Sequence, residues 1–340
     1  MSLEGLLLNQ RYRVTAPIGE GPHGAVYRAT DERHADRTVA LKFLKHLVPE
    51  GHKMLERFAR ECQVLRELDH PHIVTLYEHG QHEGMQWIAM EYAPSGSLQL
   101  VLDEDGPMDV YGALEILLQL CAALEVAHAA GLVHRDVCPA NLLVGHRGRV
   151  LLADFGQVLL PGAERITRHD SAVASVAIAP PEQRQDPHDG AVPASDIYAA
   201  AATLLALLTA QAPPDLFLLQ PNGHHWGATP PWLRPVILRA GSHRTEDRHR
   251  SAIHLAESLL AAAREAELPR LDELQQLWDE IRPEPVAPRL DELEAALTDE
   301  TAPPPPSKAG GMSVALGVAI AMLVLAGALW LVWAVLSPPA

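Results

Sequence analysis

The chain has 340 residues, a length for about two domains, and at 48% hydrophobic and 21% charged it can bury a core. With 27 Lys and Arg against 43 Asp and Glu, the net charge is −16. That balance excludes the clustered basic face of a nucleic-acid binder and simple adhesion to anionic lipid. Cys62, Cys121 and Cys138 are far apart, so no disulfide framework or CxxC metal clamp is expected, and a reducing compartment fits. His224 and His225 are adjacent in a Pro-rich loop without an HExxH pattern, and no metal site is expected there.

Leu6–Leu8 is a short apolar run with no basic segment before it, so it does not read as a secretory signal. Val39–Leu44 and Trp87–Tyr92 are short apolar runs that predict strands. Between them Leu55, Phe58, Cys62, Leu65 and Leu68 recur at three- and four-residue spacing, one face of a helix. From Val110 onward the pattern is mostly helical. Leu114, Leu117, Leu118, Cys121, Leu124 and His128 share a face, and Gly131 predicts the stop. A small β-rich part is thus followed by a larger α-rich part.

Chemistry-bearing residues punctuate this frame. Gly19, Gly21 and Gly24 form GxGxxG, followed by β-like residues from Val26 rather than by a helix start. That suits a glycine-rich hairpin whose backbone N–H groups lie over nucleotide phosphates. Lys42 follows Gly24 by 18 residues, on the next strand, where an ammonium can neutralise phosphates and needs a carboxylate to hold it; Glu61 on the predicted helix is the candidate. His134-Arg135-Asp136 precedes Asn141, Asp154-Phe155-Gly156 follows 13 residues after Asn141, and Pro181-Glu182 and Asp196 come later.

Together, in this order and spacing, these motifs resemble the eukaryotic-like (Hanks-type) protein kinases, most closely the bacterial transmembrane Ser/Thr kinases. The resemblance spans roughly Tyr12 to Ala263. It implies an α+β two-lobed kinase fold, with an N-lobe over 12–93 carrying one regulatory helix and an α-rich C-lobe over 94–263. It also implies transfer of the γ-phosphoryl group of ATP to Ser or Thr hydroxyls of protein substrates, with Mg²⁺. Residue by residue, it places Ile18, Gly19, Gly21, Gly24, Val26, Ala40 and Leu143 around ATP, with Met90 as gatekeeper and Glu91 and Ala93 at the adenine edge. Lys42 would contact the α- and β-phosphates and pair with Glu61. Asp136 would accept the substrate proton, and Asn141 and Asp154 would hold the metal. Glu182 and Arg248 would form the ion pair under the activation segment, and Asp196 would brace the His134–Asp136 turn. Thr167, Ser171 and Ser175 are the activation-segment hydroxyls, with Arg135 a candidate partner for a phosphate on them.

The sequence departs from the family pattern at two places. Cys138 stands where the Ser/Thr kinase pattern has a Lys that contacts the γ-phosphate, and Ala174–Ile178 replaces the Gly-Thr-x-x-Tyr stretch. Both changes fall on the substrate side. The first reading is an active kinase weakened at Cys138. The alternative is a nucleotide-binding pseudokinase scaffold. A thiol activated by Arg135 would give Cys138 a redox role, whereas a buried inert thiol is the commoner state.

Residues 264–311 read as an acidic, Pro-rich linker in which Pro269–Leu274 and Pro288–Leu293 both spell PRLDEL. The repeat predicts two surface helices with Pro in the first turn, or else a docking site for a partner. Residues 312–336 are 25 residues without a charge, long enough for a membrane-spanning helix, with Trp330 and Trp333 near the far end. The expected arrangement is a single-pass cell-membrane protein with a cytoplasmic kinase domain and a tail of 337–340 outside. Ser313, Gly317 and Ala321 form a small-residue face on the span that would allow a homodimer.

Overall fold

Short apolar runs mark the central strands of the first ninety positions, and the structure, a computed structural model, folds them into one six-stranded antiparallel sheet. It describes residues 3–21, 24–44, 62–63, 65–155, 178–186 and 190–284. The strands are β1 (Leu7–Leu8), β2 (Tyr12–Gly21), β3 (Gly24–Asp31), β4 (Arg37–Leu44), β5 (Leu76–His82) and β6 (Met85–Glu91), in the order β1-β2-β3-β4-β6-β5. The sheet begins before Tyr12, because Leu7 and Leu8 pair with Arg13 and Tyr12 and Leu8 is buried. The N-lobe therefore starts earlier than the motifs indicate. One face buries Tyr12 edge-on against Trp87, their ring centroids 5.8 Å apart, with Val14, Val39, Leu41 and Phe43.

Arg11 ties the far ends of this sheet together. Its guanidinium donates to both oxygens of the fully buried Asp31 at 2.8 Å and to Glu78 at 2.7 Å. Arg37 adds a further bond to Asp31 at 2.9 Å. These bonds, Arg11 foremost, hold the Asp31 carboxyl far below its ordinary range.

Beyond the hinge come α1 (Leu98–Asp105), α2 (Val110–Ala129), the hairpin β7 (Leu142–Val144) and β8 (Val150–Leu152), α3 (Pro181–Gln185), α4 (Pro193–Thr209), α5 (Arg234–Ala240), α6 (Ala252–Glu265) and α7 (Leu271–Ile281). Asp109 caps α2 by accepting from the Gly112 N–H. The helix ends as the sequence predicts: Gly131 adopts φ +76°, with Leu132 N–H bonding Ala127 O and Gly131 N–H bonding His128 O. The predicted face of α2 is buried at Leu114, Leu117, Leu118, Cys121 and Leu124, and packs on α4 and α6. This helix is long and apolar enough to cross a membrane, yet it is the core helix of the C-lobe and largely buried.

The expected linker over 264–311 is corrected at its start. Helix α6 runs on to Glu265, and α7 packs on α2 and α6 with Leu274 and Trp278 fully buried. The first PRLDEL copy is therefore part of the C-lobe. Its apolar stripe at Leu274 and Trp278 needs cover, and the lobe supplies it. Pro269 does not sit in the first turn, because Arg270, at φ +62°, precedes the helix start at Leu271. The second copy, the four-proline run and the 312–336 span lie outside the described residues.

Candidate active site

Two strained backbone positions mark the site. Arg135 (φ +71°) and Asp154 (φ +62°) are both non-glycine residues in the left-handed region. Such strain persists only where the surroundings fix it. At Arg135 the fixing group is Asp196 on α4, only 1% exposed. Its carboxylate accepts the His134 N–H at 2.8 Å, the Arg135 N–H at 2.9 Å and a bond with His128 Nε2 at 2.8 Å. Burial pushes this carboxyl up, but the bonds from His128 and the backbone outweigh it and hold it below its ordinary range. His134 bonds Ala153 O through Nε2 at 2.9 Å, and Phe155 lies edge-on to its ring at 4.6 Å.

The catalytic turn and the metal-ligand candidates are joined by hydrogen bonds. Asn141 Nδ2 donates to the Asp136 carbonyl at 2.7 Å and to its carboxylate at 3.0 Å. The Asn141 carbonyl accepts from Ala153 N–H at 2.9 Å, beside Asp154. Asp154 accepts from Lys42 Nζ at 2.5 Å, across the two lobes. Glu61, the expected partner of Lys42, lies outside the described residues, as do Thr167, Ser171 and Ser175.

The remaining candidates surround the same cleft. Gly19 and Val26 pair across the β2–β3 hairpin, and Val26 also pairs with Lys42. Gly24 is obligatory: it has φ +152°, and a Cβ there would sit 1.9 Å from the Phe43 carbonyl oxygen. Ile18 on β2 is half-exposed. Ala40 pairs with Met90 across β4 and β6. Met90, Ala93 and Leu143 gather against Val74, Leu151 and Ala153, an apolar cluster at the hinge. Glu91 bonds Arg149, the residue before β8, through its side chain. Behind Met90, an apolar cavity is lined by Leu44, Leu65, Leu76, Ile88 and Phe155, with Lys42 and Asp154 at its polar end.

Glu182 and Arg248 form the expected pair. Arg248, 1% exposed, donates to the two Glu182 oxygens at 2.7 and 2.9 Å and to the carbonyls of Ser242, Ala194 and His243. The guanidinium fork is thereby satisfied in a dry site. Burial raises the Glu182 carboxyl, but Arg248 and Ser195 hold it below its ordinary range. Cys138 is 4% exposed, and burial, with Asp136 adding to it, pushes its thiol well above the ordinary value. Its surroundings thus favour the buried, inert thiol over the activated thiolate. Among the described residues no group of His, Cys, Asp and Glu could hold a metal by itself, and His224 and His225 simply stack at 3.9 Å. Sequence reasoning missed Gln183, which donates to the Arg135 carbonyl at 2.6 Å.

Comparison with known proteins agrees with this geometry. The protein kinase domain family matches residues 12–264, and the chain belongs to that family. The serine/threonine-protein kinase PknL of Mycobacterium tuberculosis is 34% identical over 279 residues, covering 78% of this chain and 69% of PknL. PrkC of Bacillus subtilis, also named a serine/threonine-protein kinase, is 33% identical over 262 residues, 74% of this chain and 40% of PrkC. The crystal structure of the M. tuberculosis PknI kinase domain superposes with a TM-score of 0.63 at 28% identity, covering 77% of this chain and all of that domain. These relatives place the chain with the bacterial Hanks-type kinases, a family that uses ATP and a divalent metal.

Proposed function

We propose that this protein is a membrane-anchored protein-serine/threonine kinase that moves the γ-phosphoryl group of ATP to Ser or Thr hydroxyls of other proteins. The observation that carries the reading is the unbroken run of contacts Asp136–Asn141–Ala153–Asp154–Lys42, which links both lobes at one cleft. Its donor set suits the chemistry. Asn141 spends its side-chain N–H groups on Asp136, which leaves its side-chain oxygen Oδ1 for a cation, and Asp154 offers a carboxylate, both hard oxygen ligands that fit Mg²⁺. The metal would neutralise charge on the phosphates. Lys42 would orient the α- and β-phosphates. Asp136, held by Asn141, would take the hydroxyl proton of the acceptor. All four groups are in place, so a scaffold without transfer is the less favoured reading.

The test is Mg²⁺-dependent autophosphorylation of the full chain beside Asp136→Asn. Label in the wild type alone is expected. Absence of label from both, with ATP still raising the melting temperature, would replace the kinase with a nucleotide-binding scaffold. The anchor rests on the uncharged stretch 312–336, with the kinase domain on the cytoplasmic side and self-association through Ser313, Gly317 and Ala321. Extraction from membranes by carbonate, rather than detergent alone, would overturn the span. Unchanged self-association in Gly317→Ile would remove the dimer.

A further inference from the structure

We infer that Gln183 is a positioning residue for phosphoryl transfer, clamping the peptide that carries Asp136 in a catalytic loop that lacks its usual lysine. The inference rests on the function proposed above. Gln183 is 3% exposed on α3, next to Glu182, and donates through Nε2 to the Arg135 carbonyl at 2.6 Å. The same peptide's N–H, that of Asp136, is directed to His134 Nδ1 at 3.3 Å. The preceding peptide is held through the Arg135 N–H by Asp196 at 2.9 Å. Buried side chains from α3 and α4 thus grip the peptides on either side of Arg135, the residue at φ +71°.

The clamp has a fixed base. Glu182, one residue earlier, is locked by Arg248 and by Ser195 Oγ at 2.7 Å. Whatever folds α3 against Arg248 therefore also sets the Arg135–Asp136 peptide. Only a donor can do this work, because a carbonyl offers no proton. Cys138, a buried thiol, offers no cation to Asp136 from the substrate side. The carboxylate's place depends on its backbone clamps and on Asn141. Misplacement of a reacting group by about 1 Å can cost about a hundredfold in rate.

The experiment uses the full chain and measures autophosphorylation rate against ATP concentration. Gln183→Met keeps the length and removes the donor. It should lower the saturated rate about tenfold or more while the KM for ATP stays within about twofold. Gln183→Glu supplies a donor only when protonated. Its rate, divided by that of the wild type at the same pH, should rise severalfold from pH 7.5 to 5.5, whereas the Gln183→Met ratio stays flat. A saturated rate for Gln183→Met within about twofold of wild type would overturn the inference. So would parallel loss of rate and ATP affinity with a flat Gln183→Glu ratio, which is the behaviour of a merely structural residue. Wild-type label that does not depend on Asp136 would overturn the proposed function itself, and that result is read before any Gln183 variant.

Discussion

At position 138 a thiol sits where kinases of this pattern carry an ammonium. The sequence shows the substitution, and the structure packs the thiol out of water, where burial favours its protonated form. Restoring the cation should help the transferring group more than it disturbs the loop. Cys138→Lys should raise the saturated rate about tenfold, equivalent to ~1.4 kcal/mol of transition-state stabilisation, with a lower melting temperature because a charge enters a packed position. Steady-state kinetics and a melting curve on the same preparation check both halves. Most of the site was legible at this scale. Lys42, Asp136, Asn141 and Asp154 stand out through the resemblance of their motifs to a known family, and the fold brings them to one cleft. Gln183 does not, since an amide following Pro-Glu has no spacing signal; its role appears only when α3 is brought beside Arg135. The Arg11–Asp31–Glu78 contacts were hidden for the same reason, as charges tens of residues apart carry no periodicity.

Among the elements, α7 departs furthest from expectation. Pro269 before it and its acidic residues read as a surface helix within a linker, yet an apolar stripe was present at Leu274 and Trp278. What the sequence could not say is that α2 and α6 offer a surface to receive it. The first PRLDEL copy docks through Arg270, which lies 4.1 Å over the Tyr111 ring, and Glu273, which accepts from the Tyr111 hydroxyl at 3.3 Å. Leu274→Ala should cost about 2–5 kcal/mol, the usual range for a large-to-small change in a core, read as a lower denaturation midpoint. Trp278→Phe should cost far less, about 1 kcal/mol or under, because the buried indole N–H has no hydrogen-bond partner to lose. A Phe variant as damaging as Leu274→Ala would show that indole shape, not apolar contact, holds the helix. Helix α2, by contrast, was legible from its face to its Gly131 stop, because its own periodicity and its own cap define it.

For the whole molecule, buried His249 sets an acid limit on stability. Burial, aided by Arg239 and His254, lowers its pKa to about 4 from 6.5. The unfolded chain therefore binds a proton between pH 6.5 and about 4 that the folded chain refuses, so stability falls as pH drops through that window. The loss should be about 2–3 kcal/mol at pH 4.5, and His249→Leu should flatten that part of the profile in urea unfolding. Ligand linkage is a second whole-molecule property. ATP with Mg²⁺ at about a hundred times its dissociation constant should stabilise the fold by ~2.7 kcal/mol. Asp154→Asn should remove the Mg²⁺-dependent part of that shift, read against the variant's own unliganded melting point because the Lys42 pair is also lost.

The seat of α7 also decides where the chain leaves the kinase lobe. Arg282, at its end, pairs with Glu257 of α6 at 3.1 Å, so the departure point is moored to a rigid helix instead of swinging from the end of α6. About 30 residues separate Arg282 from the uncharged stretch. Under the anchoring proposed above, the cleft would be tethered to one membrane surface. There, targets would meet the enzyme at an effective concentration set by tether length. Substrate choice would then be partly a matter of address: proteins held at the same membrane would be phosphorylated ahead of better-matched sequences free in solution.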